Sequence, residues 1–286
     1  MEENICEHHF LNNVSQNSQG RYIVKLPVRE QMLNNIGDSR ESALKRLSVE
    51  RRFKRDPILK IQYAAFLEYL SLGHMRRMEP PIAKETISFY LPHHCIFKMI
   101  RQASKIRIVF DASCRSSSGV SLNDAFLVGP TIQQDLISIL MRFRFFTYVI
   151  TADIIKMYRQ ILIHPSQTCL QRILWRNDLS ANVDTYELTT VTYGTASASF
   201  LTIRCLKHLA EQHAHQFTRG SACVLRDFYV DDMLTGTDTV DELKLIRDET
   251  IQLLKLGAFE LSKWTSNCPE LLETDNYDYR AGHYQR

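Results

Sequence analysis

The sequence predicts an α+β fold. Short β-branched runs are scattered irregularly among amphipathic stretches, and they do not alternate with helices as in a doubly wound sheet. No segment repeats another, and neither a Gly-x-Gly-x-x-Gly nor a P-loop pattern occurs. Two of the apolar runs carry acidic residues at an end or a turn, at Asp153 and at Asp231–Asp232.

Residues 1–20 are polar and rich in Asn, Gln and Ser, which predicts a linker or frayed terminus. Tyr22–Leu26 reads as a strand stopped by Pro27 and opens a largely helical region over 21–85. The first helix there opens at Asp38, with Glu41 at capping-box spacing. The second has Asp56 as N-cap and Pro57 at the first helical position. Its apolar positions Tyr63, Phe66, Leu67 and Leu70 recur at helical spacing, and Gly73 ends it. From residue 86 the pattern turns β-like, with Thr86–Leu91 and Lys105–Phe110 as short strands. A helix over about 131–143 carries Ile132, Leu136, Ile139, Leu140 and Phe143 on one face. The β-branched run from Thr147 ends on Asp153, and a helix over about 196–215 follows Tyr193–Gly194. Cys223–Tyr229 and Met233–Thr237 read as strands flanking the acid pair. A last helix, 239–256, ends at Gly257.

Composition excludes several classes. An apolar fraction of 44% and a charged fraction of 23% are those of a globular protein able to bury a core. No apolar run reaches the length of a membrane span, and the polar start Met1–Asn4 is unlike a signal peptide. The seven cysteines form no Cys-x-x-Cys pair, so reduced thiols of an intracellular protein are expected, and a disulfide framework or zinc ribbon is not. His8–His9, His93–His94–Cys95, His208, His213 and His215 lack zinc-site spacing and read as structural or surface residues. The net charge of +3 is only mildly basic. A basic run from Arg40 to Lys60 fits a solvated helical face at least as well as a phosphate-tracking surface.

The acidic residues carry the chemistry. Val230–Asp231–Asp232–Met233 reads as a tight hairpin turn, and Asp alone is an ordinary turn residue. Adjacent like charges repel, however, and a divalent cation held by oxygen ligands relieves that repulsion. Asp153 ends a different apolar run, 78 positions before Asp231. With both strands side by side, three carboxylates converge. Two-metal phosphoryl chemistry needs such a set, with ions roughly 3.5–4 Å apart.

Further blocks stand in order along the chain: YLPHH at 90–94, RIVFDAS at 107–113, SGVSLND at 118–124, VGPTI at 128–132 and TAD at 151–153. KMYRQ at 156–160, QRILW at 171–175, YGTAS at 193–197 and RDFYVDD at 226–232 follow. Together they resemble reverse transcriptases, and their wording is similar to the Bel/Pao family of long-terminal-repeat retrotransposons, over roughly residues 20–267. The resemblance implies reverse-transcriptase fingers and palm over 86–267, with an antiparallel palm sheet packed by helices, a truncated tail over 268–286 and no thumb. Ser199 stands where the family usually has proline, and Ile155 where relatives tend to carry glutamate.

That resemblance implies an RNA-directed DNA polymerase, adding deoxynucleotides to a primer on an RNA or DNA template. Its alternative is a truncated, inactive remnant acting at most as a nucleic-acid-binding module. Asp153, Asp231 and Asp232, with the main-chain carbonyl of Ile154, would hold two Mg²⁺ ions, or Mn²⁺. Tyr158 would sit under the incoming sugar and exclude a 2′-hydroxyl; a core aromatic is the plainer reading. Arg107, beside Lys105, would neutralise the triphosphate, against the plainer reading of an exposed strand arginine. Tyr193 and Gly194 would approach base and template, and Lys263 would protonate departing pyrophosphate. No membrane partner is implied, and a cytoplasmic particle or the nucleus is the expected location.

Overall fold

Helices and short strands follow one another irregularly, giving the α+β class that the sequence predicts. The structure, a computed structural model, describes residues 2–47, 56–64, 68–79, 87–100, 103–176 and 180–272. In chain order the first elements are α1 (Glu2–Asn13), β1 (Ser15–Gln16), β2 (Tyr22–Val24), α2 (Glu30–Asn34), α3 (Arg40–Arg46), α4 (Pro57–Ala64), α5 (Glu68–Ser71) and β3 (Met75–Arg77). Next come β4 (His93–Ile100), β5 (Ala103–Phe110), α6 (Leu122–Ala125), α7 (Leu136–Phe145), β6 (Tyr148–Ile154), α8 (Met157–Gln160) and β7 (Leu162–Ile163). The chain continues with β8 (Arg172–Trp175), β9 (Asp184–Leu188), α9 (Ala198–Gln212), α10 (Thr218–Arg226), β10 (Phe228–Tyr229), β11 (Asp232–Thr237), α11 (Val240–Leu256) and β12 (Leu261–Ser266).

The chain divides into two compact units. The first comprises Met1–Val14, Ile23–Gly129 and Ile161–Ala198. It holds the antiparallel sheet β3-β9-β8 and the long hairpin β4–β5. In its core the Tyr63 ring stacks on Trp175 with centroids 5.2 Å apart. His93, fully buried, bonds the Tyr63 hydroxyl and the Leu174 carbonyl, so it is a satisfied core histidine rather than a ligand. Burial holds its ring below the usual imidazole range. Glu187 is also buried there, between Arg172 at 3.0 Å and Arg76 at 2.7 Å.

The second unit comprises Ser15–Tyr22, Pro130–Gln160 and Ser199–Arg286. Its sheet has the order β10-β11-β6-β12, with every pair antiparallel. Val149, Ile150, Ala152 and Ile154 bury the central strand β6, and a buried strand face specifies register strongly. Helices α7 and α11 pack against β11. α11 forms where it does because Thr239 caps it, accepting from the Glu242 amide, while Asp241 and Glu242 complement the N-terminal dipole. Gly257 closes its far end.

Several sequence expectations are corrected. The 1–20 linker is instead largely the helix α1, anchored by buried Cys6 and Phe10 at i,i+4; the other apolar positions, Ile5 and Leu11, are exposed, so the four make no single helical stripe. The Asp38–Glu41 capping box does not form. Ser39 is the N-cap of α3, and its hydroxyl instead accepts the Tyr90 amide at 2.8 Å. Thr86 lies outside the described residues, and over 87–91 only an isolated bridge, Tyr90 to Arg172, replaces the expected strand. α7 starts at Leu136 because Asp135 caps it, which leaves Ile132 and Gln133 in the preceding loop. Cys223–Arg226 is the end of helix α10, not a strand. By contrast, α4 begins at Pro57 with Asp56 accepting the Leu59 amide, as its sequence predicts. Of the basic run, Lys45 pairs with Glu41 and Arg46 with Asp111, while Arg51, Arg52, Lys54 and Arg55 lie outside the described residues. The seven cysteines are free thiols. Among the described residues no helix is long and apolar enough to cross a membrane.

Candidate active site

The acidic residues meet at one end of the β6–β11 ladder. Asp232, the first residue of β11, lies directly opposite Asp153 on β6. Residues so paired point to the same face, with Cβ atoms about 4.5–5.5 Å apart, and like charges there repel. Tyr229 pairs with Asp232, so Val230 and Asp231 form the two-residue turn of the hairpin. The Asp231 carbonyl accepts the Ile154 amide at 2.8 Å, tying the turn to the end of β6. Partial burial, then the charges of Asp231 and Asp153, push the Asp232 carboxyl above the usual carboxylate range; Lys263 pulls the other way. The Ile154 side chain is buried, so only its main chain is available to a ligand.

On the other side of β6, Ser262 pairs with Asp153, and the β12 register then shifts before Thr265. A bulge of this kind re-aims a side chain. Here it turns Lys263 so that its ammonium makes an ion pair with the Asp153 carboxylate. Backbone strain gathers around the same residues. Among the described residues the non-glycine positive φ values belong to Lys156 (47°), Val230 (56°), Lys263 (55°) and Ala258 (56°). The first three flank or touch the carboxylates. Left-handed backbone costs about 1–2 kcal/mol per L-residue, and such strain concentrates at functional sites.

The donors are all oxygen, the ligand type that suits Mg²⁺, and the repulsion at Asp232 is what a divalent cation removes. The donor chemistry therefore fits the ion. With the Asp153 carboxylate paired to Lys263, no group of three or more His, Cys, Asp or Glu side chains among the described residues is set to hold a metal. The strands bring the acids to one sheet end.

Tyr158, on α8, is half-buried and shares a 3.1 Å hydrogen bond with the Ser199 hydroxyl. A proline at 199 could not make that bond.

A second cluster lies within the first unit. Exposed Arg107 on β5 places its guanidinium carbon 4.7 Å from the centroid of the Tyr193 ring, a cation–π arrangement. The Tyr193 hydroxyl donates to the Ile108 carbonyl. Gly194 has φ +97°, and a Cβ there would lie 2.5 Å from the Phe110 carbonyl oxygen, so the loop can approach β5 only as glycine. Asn123 completes the tie, donating to the Gly194 carbonyl at 3.1 Å and accepting the Ala196 amide at 2.8 Å. A guanidinium backed by an aromatic face and open to solvent suits phosphate oxygens. The side chain of Lys105 lies outside the described residues.

No family model matches this sequence, and no curated protein is found to resemble it. Solved structures do resemble it in backbone. A selenomethionine-labelled mutant of the Prototype Foamy Virus protease-reverse transcriptase superposes with TM-score 0.52 and 17% identity, over 71% of this chain and 23% of that one. The foamy viral protease-reverse transcriptase in complex with an RNA/DNA hybrid gives 0.50 and 16%, over 69% and 22%. The fold is reverse-transcriptase-like. This chain spans under a quarter of the length of those two proteins.

Within that reverse-transcriptase-like fold, Asp153, Asp231, Asp232, Ile154 and Lys263 stand together, and so do Arg107, Tyr193 and Gly194. Asn123, Ser199 and Gln133 are not among the site residues expected from sequence. Asn123 could have been found from its place inside the capping box of Ser121 and Asp124. Ser199 was visible only as a departure from the family pattern, and Gln133 gives no local signal.

Proposed function

We propose that this chain is the polymerase core of a Bel/Pao-type retrotransposon reverse transcriptase, an RNA-directed DNA polymerase. The observation that carries the reading is the direct opposition of Asp153 and Asp232, with Asp231 in the strained turn beside them. The RNA/DNA hybrid held by a foamy viral protein of similar fold supports a template–primer duplex as partner. Asp153, Asp231 and Asp232, with the Ile154 carbonyl, would hold two Mg²⁺ ions. When bound, these supply an activated 3′-hydroxyl and neutralise charge on the triphosphate. In the reaction the primer 3′-oxygen would bond to the α-phosphorus as the bond to pyrophosphate breaks, the hydroxyl proton passing to solvent. Arg107 and Lys105 serve the triphosphate, Arg107 through its planar fork. Tyr193 and Gly194 form the loop that approaches base and template. Tyr158, steadied by Ser199, meets the sugar and excludes ribonucleotides. Lys263, now paired with Asp153, would be the proton donor to departing pyrophosphate.

A second reading, a nucleic-acid-binding module without catalysis, is favoured by one observation: Lys263 already neutralises Asp153. Primer extension with Mg²⁺ and deoxynucleotides separates the two. Extension by the wild type, lost at least about a hundredfold in Asp231→Asn, supports the polymerase. Duplex binding with no extension by either protein supports the module. In the same assay Tyr158→Ala admits ribonucleotides; unchanged exclusion removes the sugar-gate role.

A further inference from the structure

Val230 is a β-branched residue held at φ +56°, in the tightest part of the hairpin that presents Asp231 and Asp232. Its backbone amide lies beyond the last ladder pair, Tyr229 with Asp232, and needs a partner elsewhere. That partner is the Gln133 side chain, whose Oε1 accepts the Val230 N–H at 3.1 Å. Gln133 comes from the loop before α7, nearly a hundred positions away, and Asp135 fixes that loop by capping the helix. Val230 and Gln133 line one cleft with Ile132, Ile203, Val224 and Phe228, an apolar wall that offers the amide nothing. Lys207 also lines it, but an ammonium has no acceptor. Among the described residues lining the cleft, Gln133 alone carries a side-chain acceptor.

We propose that Gln133 is a positioning residue: by accepting the Val230 amide it holds the turn in its left-handed form and so sets Asp231 and Asp232 for the divalent ions. The inference rests on the polymerase reading only for the identity of the ligand. The bond itself is independent of it.

The test uses the whole chain as wild type, Gln133→Ala, Gln133→Glu, Val230→Gly and the Gln133→Ala/Val230→Gly double variant. Mn²⁺ binding is followed by the electron paramagnetic resonance of the free ion, and amide exchange is read at Val230. Gln133→Ala should exchange Val230 faster and bind Mn²⁺ about tenfold more weakly, the scale of losing a supporting partner of a ligand. Gln133→Glu, which keeps an acceptor, retains the slow exchange. In the Val230→Gly background the effect of Gln133→Ala shrinks, because glycine adopts positive φ without help. Unchanged Mn²⁺ affinity in Gln133→Ala overturns the proposal whether or not exchange changes, since the bond would then be structural only. A wild type that binds no Mn²⁺ overturns the metal reading instead, and Val230 exchange then decides whether Gln133 holds the turn.

Discussion

Asp232 carries the electrostatic tension of the site. Its carboxyl is raised by partial burial and by Asp231 and Asp153, so its ionised form is the destabilised one. A raised carboxyl contributes stability below the unfolded value, about 4, and loses it as pH rises through the folded value. Asp232→Asn removes that dependence. Without divalent ions, the variant should melt above the wild type at pH 7, and the gap should close as pH falls toward 4. Melting curves across that range check it; a gap that widens on acidification refutes it. Lys263 adds to the same balance, since its ion pair with Asp153 is a protein-supplied substitute for part of the cation charge.

Among the elements, the sheet β3-β9-β8 contains a deeply buried ionic group, Glu187. Burial alone would raise the Glu187 carboxyl. Hydrogen bonds from Arg76, Thr168 and Arg172 outweigh it and leave the group below the usual carboxylate range. Arg172 is itself buried, so removing Glu187 strands a positive charge. Glu187→Ala should cost about 3–5 kcal/mol in urea denaturation at pH 7. Because the folded carboxyl is depressed, this contribution is present above the unfolded value and disappears as pH falls through the folded one. A loss below about 1 kcal/mol, the ceiling for most exposed pairs, would mean the pair is solvated. β12 shows the opposite use of an element: a strand interrupted by a bulge to aim one lysine.

At the scale of the molecule, strongly local features were legible and pairings were not. Asp153 could be placed because β-branched residues lead up to it, and Asp231–Asp232 because apolar runs flank the pair. Pro57 marked a helix start through its own stereochemistry, and Gly257 a helix end, although there it is the close approach of Leu209 and Phe259, not a left-handed backbone, that calls for glycine. The α+β class followed from the irregular order of these signals. By contrast, α1 hides in a polar segment because only Cys6 and Phe10 are buried. β10 is two residues long, too short to separate from the helix before it. The β12 bulge, the Lys263–Asp153 pair and the Gln133–Val230 bond depend on partners about a hundred positions apart, and no local window contains them. The sequence therefore named the acids but missed the lysine's hold on one of them.

The antiparallel arrangement around β6 also has a kinetic consequence. Asp153 meets Lys263 only after a span of 110 positions has closed, and such non-local pairings form late. Asp153 and Asp232 likewise come from distant strands, so the repulsion between them belongs to the finished structure, unlike that between the neighbours Asp231 and Asp232. Neutralising it, as in Asp232→Asn, should slow unfolding and leave the refolding rate almost unchanged. Stopped-flow chevrons would show the effect in the unfolding arm.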